Sequence, residues 1–205
     1  MGIVIDHAAR KRDIIAKSIQ LFAEQGYDGV TYQKIADSCA IARTTLYKYF
    51  RNKREIFNTA IWEVSYLLIG RFDEALSSKT SAVSRLDRVM TAVFQLLFEQ
   101  RIILTVILDY VLAAQRSGHN MERIIRRHTI GLRRIIHSLI VEGIRKGELR
   151  KVNTDLATDL VYAQLEAAIL RLTVSQNADY GQLVSMFHQT IETLKAPAPS
   201  AGARG

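Results

Sequence analysis

Proline is nearly absent from this chain of 205 residues, and both copies, Pro197 and Pro199, fall in the last nine positions. Nothing from Met1 to Ala196 carries the ring that breaks a helix interior, so the composition predicts an all-α protein. Cysteine is scarcer still. The single thiol, Cys39, excludes an intrachain disulfide and suits a reducing compartment. Its place is open to two readings, a small buried apolar residue or a redox-sensing thiol. Long apolar runs are also missing: the most apolar stretch, 102–114, is interrupted by Asp109 and falls short of the roughly 20 residues that span a bilayer. The start, MGIVIDHAARKRD, lacks the apolar core of a signal peptide. These absences predict a soluble, cytoplasmic protein with no membrane partner.

The motifs of common chemistry are absent as well. There is no Walker loop, GxGxxG turn, Cys-x-x-Cys pair or GxSxG elbow. No Glu is followed three residues later by His, which removes the di-iron bundle signature. His119, His128 and His137 recur every nine residues. On one helix nine steps turn through half a revolution, and His119 and His137 would lie about 27 Å apart, so that helix alone makes no metal site. The expectation is neither an enzyme nor a cofactor or metal protein.

What is present is a core's worth of apolar residues, 48%, and a formal charge of +8 with a pI of about 9.7. That charge favours polyanions, DNA or an anionic membrane alike. The stretch 31–53, TYQKIADSCAIARTTLYKYFRNK, discriminates further. Thr31 is placed to cap a helix with Ile35 and Ala36 on its inner side. Cys39, Ala40 and Ile41 form a break. A second helix follows with Leu46 and Phe50 on one face at i, i+4, leaving Arg43, Thr44, Thr45, Tyr47 and Lys48 on the others. This is the layout of a helix-turn-helix that offers hydroxyls, a guanidinium and an amine to a major groove, although a helical hairpin with a solvated face shares much of the pattern.

The order of residues decides between them. Thr31, Ile35-Ala36, Thr45-Leu46-Tyr47, Tyr49-Phe50 and Lys53, preceded by Leu21-Phe22 and Gly26-Tyr27, resemble the DNA-binding domain of the tetracycline-repressor (TetR) family of transcriptional regulators. The family pattern has Gly in the turn, Ser at the start of the reading helix and Gly two residues later, where this chain has Ala40, Ala42 and Thr44. The resemblance implies DNA contacts from Thr31, Arg43, Thr44, Thr45, Tyr47, Lys48, Tyr49 and Lys53. Thr31, Tyr47 and Lys53 are the candidates for phosphate and Arg43, Thr44 and Thr45 for base edges, with Lys48 open between the two. The triplet Arg10-Lys11-Arg12 reads either as a solvated terminus or as a basic arm on the DNA.

The rest of the chain reads as a run of helices, about nine in all. The first spans 8–25, with Ile14, Ile15, Ile19 and Phe22 as its stripe and Gly26 as its stop. The fourth begins at Asn52, with Glu55 three residues on as a capping-box partner, and keeps its apolar spacing to Leu76. Further helices are expected over 82–100, 102–115, 120–146, 155–176 and 179–195, the one over 102–115 being apolar nearly all round and therefore central. Ten cations against three carboxylates give 116–151 a charge of +7. That charge is either a solvated face or, in part, a seat for an acidic effector.

Three segments are therefore expected: a helix-turn-helix domain over 1–52, an effector-binding and dimerisation domain over 53–196, and a disordered tail over 197–205. The resemblance implies a homodimer through the eighth and ninth helices, a palindromic operator in double-stranded DNA, and repression relieved by a small molecule. Phe94, Phe98, Tyr110, Arg126, Tyr162 and Glu166 are the candidate effector contacts, against a solvated helix face for Arg126 and a plain core role, the commoner one, for the other five. A helical carrier or anionic-membrane binder without DNA recognition is the alternative.

Overall fold

The computed structural model describes residues 6–118, 121–175 and 177–197, with 121–129 described in backbone only. Among the described residues it has nine helices and no strand: α1 (His7–Gln25), α2 (Tyr32–Ser38), α3 (Arg43–Leu46), α4 (Lys53–Ser77), α5 (Ala82–Glu99), α6 (Arg101–Arg116), α7 (Met121–Arg145), α8 (Thr154–Val174) and α9 (Tyr180–Leu194). No helix among those residues is long and apolar enough to cross a membrane. His137 lies 3.6 Å from Asp155, and the described residues contain no group of side chains that could hold a metal. His119, the side chain of His128 and the tail beyond Pro197 lie outside the described residues.

Short polar side chains set the helix starts. Asp6 accepts from the backbone N–H groups of Ala8 and Ala9, Thr31 from Lys34, Asn153 from Asp155 and Leu156, and Asp179 from Gly181. At α4, Asn52 accepts from the N–H of Glu55, while Glu55 reaches back to the N–H of Arg51, one residue before the cap. Gly26 ends α1 with φ +72, a conformation costly for any residue with a Cβ.

The reading helix is shorter than its sequence suggests. Regular α-helix ends at Leu46, and the chain tightens through Lys48 N–H to Thr45 C=O and Tyr49 N–H to Leu46 C=O before Phe50 N–H returns to Leu46 C=O. Leu46 and Phe50 are nonetheless both buried on one face. Two departures from the family pattern are visible, one as strain and one as a missing cap. Ala40 sits in the left-handed region at φ +52, and Ala42 caps α3 with no side-chain hydrogen bond.

The chain divides into two compact units, residues 1–67 with 100–121 and residues 68–99 with 122–205. This partition differs from a boundary at 52/53, because α4 serves both units and α6 belongs with the helix-turn-helix. The first core joins Ile14, Phe22, Ile35, Leu46 and Phe50 to Ile56, Phe57 and Ala60 of α4 and to Ile103 and Val106 of α6. The second gathers Phe72, Leu86, Met90, Phe94, Ile136, Val161 and Phe187, among others.

The expectation that α6 is central is corrected. Only Ile103 and Val106 are buried, with Leu104, Ile107, Leu108, Tyr110 and Val111 partly so, whereas Ile102 and Leu112 are 47% and 44% exposed. The reading unit is small, and its core takes up one face of α6 and leaves Ile102 and Leu112 outside it.

Replacing Ala40 by Gly removes the left-handed penalty and should stabilise the protein by about 1 kcal/mol. Ala42→Ser supplies the missing cap and should add roughly 1 kcal/mol. For a chain of this length each is a rise of about 2–4 °C in the thermal midpoint. Melting followed by helical circular dichroism tests both, and an unchanged midpoint for Ala40→Gly would show that the turn is not strained.

Candidate nucleic-acid interface

The reading surface is built outward from Tyr32. Its hydroxyl donates to the carbonyl of Phe50 at 2.5 Å, tying the end of the reading turn to the start of α2. Burial, then the neighbouring Tyr47 and Glu55, push its pKa up to about 12, so the phenol keeps its proton and remains a donor. The ring of Tyr32 packs against Tyr47 at 4.8 Å. Tyr47 in turn accepts from Arg43 at 3.1 Å, with the guanidinium 5.7 Å from the centre of its ring. Arg43 and Tyr47 are thereby held relative to each other, one turn apart on an exposed face. A cleft of about 390 Å³ runs beside them, lined by Val30, Thr31, Tyr32, Arg51, Asn52 and Lys53 among others.

Thr31, Thr44 and Lys48 are exposed, Thr45 is half-buried, and Tyr49 is half-buried with His7 at 5.7 Å from its ring. The Thr31 oxygen accepts from Lys34 N–H at 3.2 Å, which leaves its own proton free to donate to a phosphate. Lys11 of the basic triplet stands over the Phe50 ring at 5.3 Å, and Arg10 pairs with Asp13 on α1.

Lys53 is placed differently. Its ammonium donates to the carbonyls of Tyr27 at 2.8 Å and Val30 at 3.1 Å, with a longer contact to Asp28 at 3.5 Å, and it lies 4.5 Å from the centre of the Tyr27 ring. On the other side of the same loop the Asp109 carboxylate accepts from Tyr27 N–H at 3.2 Å. The Tyr27 ring meets Phe22 and Phe57 at 5.2 Å and Tyr110 at 4.9 Å. Burial, followed by the neighbouring Tyr110 and Asp28, raises its pKa to about 12.

Sequence reasoning passed over Tyr32 and Asp109 as site residues. A carboxylate inside a nearly apolar helix was the available signal for Asp109, since such a group needs a partner. Nothing local pointed to a residue 82 positions away.

The candidate effector residues are dispersed. Tyr110 belongs to the reading unit, 5.0 Å from Phe57. In the second unit Phe94 is buried, edge-on to Phe187 at 5.8 Å, Phe98 stands 6.0 Å from Tyr180, Tyr162 is half-buried against the core, and Glu166 is exposed. The side chain of Arg126 lies outside the described residues. A cleft of about 520 Å³ in the second unit, lined by Ser84, Asp87, Glu148, His188 and Lys195 among others, contains none of the six.

Residues 14–60 match the model of bacterial regulatory proteins, tetR family. The chain is 26% identical over 182 residues to the fatty acid metabolism regulator protein of Bacillus subtilis (strain 168), covering 88% of this chain and 91% of that one. Among solved structures, FadR from Bacillus subtilis in complex with stearoyl-CoA superposes with a TM-score of 0.69 at 25% identity over 92% of this chain and 99% of its own. The ketosteroid regulator KstR2 of Mycobacterium tuberculosis gives a TM-score of 0.75 at 16% identity, covering 92% and 96%.

Proposed function

We propose that this chain is a ligand-responsive DNA-binding repressor of the tetR family of bacterial regulatory proteins, that it binds a palindromic operator as a homodimer, and that it is released by a long-chain acyl-CoA. The observation that carries the DNA half is the braced pair of Arg43 and Tyr47 on an exposed face. Arg43, Thr44 and Thr45 read base edges, Thr31 and Tyr47 hold phosphates, and Lys48 serves either. The carrier reading, which needs no DNA recognition, loses ground to relatives that are transcription regulators across most of their length.

The dimer reading rests on α8, which is apolar on two faces. Ala157, Val161, Leu165, Ala168 and Leu172 are buried in the second core. Leu156, Leu160, Ala163, Ala167, Leu170 and Val174, spaced alternately by four and three residues, are exposed, Leu156 by 68% and Val174 by 73%. That spacing is the seam of helices packed side by side, and the covering partner is a second copy of the chain. α9 leaves Gln182, Ser185 and Gln189 exposed, so its share of the interface is polar. Two copies would hold their reading helices about 34–36 Å apart, one turn of DNA.

The acyl-CoA reading comes from the relatives named for fatty acid metabolism and from the complex with stearoyl-CoA. The +7 charge of 116–151 suits a phosphorylated ligand, although Arg133 is already paired with Asp159 and Lys146 with Glu142.

Three outcomes are expected. Arg43→Ala should weaken operator binding by about ten- to a hundredfold and relax selectivity at one base pair, measured by titration of a fluorescent duplex against competitor. Equal loss at every base would assign Arg43 to phosphate instead. Stearoyl-CoA should release the protein from that duplex and raise its melting temperature, whereas no effect of saturating ligand on either quantity would reject an acyl-CoA effector. Leu160→Glu should convert a dimer to a monomer in sedimentation and weaken operator binding with it; a dimer that persists places the interface elsewhere.

A further inference from the structure

We infer that the loop 26–30 is a clamp that sets the register of the reading helices, closed from α4 by the Lys53 ammonium and from α6 by the Asp109 carboxylate, so that both are positioning residues and neither is a DNA contact. The inference rests on the DNA-reading function stated above. An ammonium has three hydrogens and no lone pair. Those of Lys53 are directed at the carbonyls of Tyr27, Val30 and, at longer range, Asp28, leaving no proton for a phosphate. Three converging carbonyl dipoles and the face of the Tyr27 ring also form a seat that favours a cation.

Asp109 completes the arrangement from the opposite side. It is the one acidic residue of α6, and its Oδ2 accepts the N–H of Tyr27, the first residue after the α1 stop. The preceding residue, Gly26, lies beside the same oxygen, at 3.4 Å from where a Cβ would stand, an ordinary contact distance. Tyr27 thus has its N–H on α6, its C=O on α4 and its ring among Phe22, Phe57 and Tyr110. From this anchored point the chain runs through Val30, whose carbonyl is also held, into Thr31 and Tyr32. Tyr32 packs on Tyr47 and ties the carbonyl of Phe50. Displacement of the loop therefore moves the reading residues by a short, fully bonded path.

The electrostatic sign separates this reading from an ordinary DNA contact. Removing a carboxylate from a DNA-binding unit strengthens DNA binding by charge alone, and removing a phosphate-bound Lys lowers the dependence of log affinity on log salt by about 0.9. Positioning predicts instead a loss confined to the operator, read as the ratio of operator to unrelated affinity.

The test uses the full-length protein, an operator selected from random duplexes by the wild type, and an unrelated duplex of equal length, each titrated at several salt concentrations. Asp109→Ala should lower the ratio of operator to unrelated affinity at least tenfold, while Asp109→Asn, which keeps an acceptor oxygen, retains most of it. Lys53→Met should lower the same ratio with an unchanged salt slope on the unrelated duplex. A salt slope reduced by about 0.9 with the ratio intact would make Lys53 a phosphate ligand and overturn the clamp, as would an unaltered ratio in Asp109→Ala. Should Lys53→Met fail to fold, the Asn and Ala variants at 109 decide the question alone. Failure of the wild type to select any operator would instead reject the DNA-reading function.

Discussion

The two-sided hold on the backbone of Tyr27 is the constraint on which the reading unit depends. Helices α1 to α3 make a domain too small to bury a large core unaided, so the unit takes Ile56, Phe57 and Ala60 from α4 and Ile103 and Val106 from α6. Those additions bring three helices to one short loop whose peptide groups must be satisfied. An unpaired buried N–H or C=O costs about 1–3 kcal/mol, a large share of a domain's net stability. Asp109 and Lys53 meet that demand with charged groups, which make the stronger kind of hydrogen bond. The same contacts that complete the fold also fix where α2 begins and, through Tyr32, where Tyr47 and Arg43 stand.

The second unit faces a different constraint. α8 carries apolar residues around most of its circumference, and only the face with Val161, Leu165 and Ala168 is covered within one chain. The remaining stripe from Leu156 to Val174 keeps a spacing of four and three, the repeat that lets a straight seam run along a helix. Scattered exposed leucines need no explanation, but six apolar positions in register do. α4 carries a shorter run. Trp62 and Tyr66, each 64% exposed, stack on each other at 5.4 Å, and Ile69 follows three residues on at 56% exposure.

Local signals made much of this legible. Thr31 as a cap, Gly26 as a stop, the i, i+4 pair Leu46 and Phe50, and the start of α4 at Asn52 are all decisions made within a few residues, and the structure places each accordingly. The turn at Ala40 was legible too, since a position where the family pattern has Gly retains its left-handed backbone without one. What the chain pattern hid was assignment between units. Apolarity all round α6 reads as burial, yet the helix packs on α1 by one face, because periodicity reports which residues are apolar and not what is available to cover them. The carbonyl partners of Lys53 were hidden for a related reason: a cation beside a reading helix suits phosphate, and only the folded loop brings the carbonyls of Tyr27 and Val30 within its reach.

The chain passes between the two units three times, at 67/68, 99/100 and 121/122. The first crossing lies within the single helix α4. The other two flank α6, which is therefore joined to the second unit at both ends while its side chains serve the first. Any influence of an effector on the reading helices has these covalent routes, and both lead to Tyr27, by Lys53 from α4 and by Asp109 from α6. Magnitudes make the route sufficient. Allosteric coupling free energies run to about 1–3 kcal/mol, and a hydrogen bond to a charged group contributes about 1.5–3 kcal/mol. Release of one bond at the loop in the effector-bound state would supply a coupling of that size, about a tenfold change in operator affinity for each 1.4 kcal/mol. No refolding of the reading unit is required. By linkage the operator must then weaken effector binding by the same factor, since both act on one equilibrium at one loop.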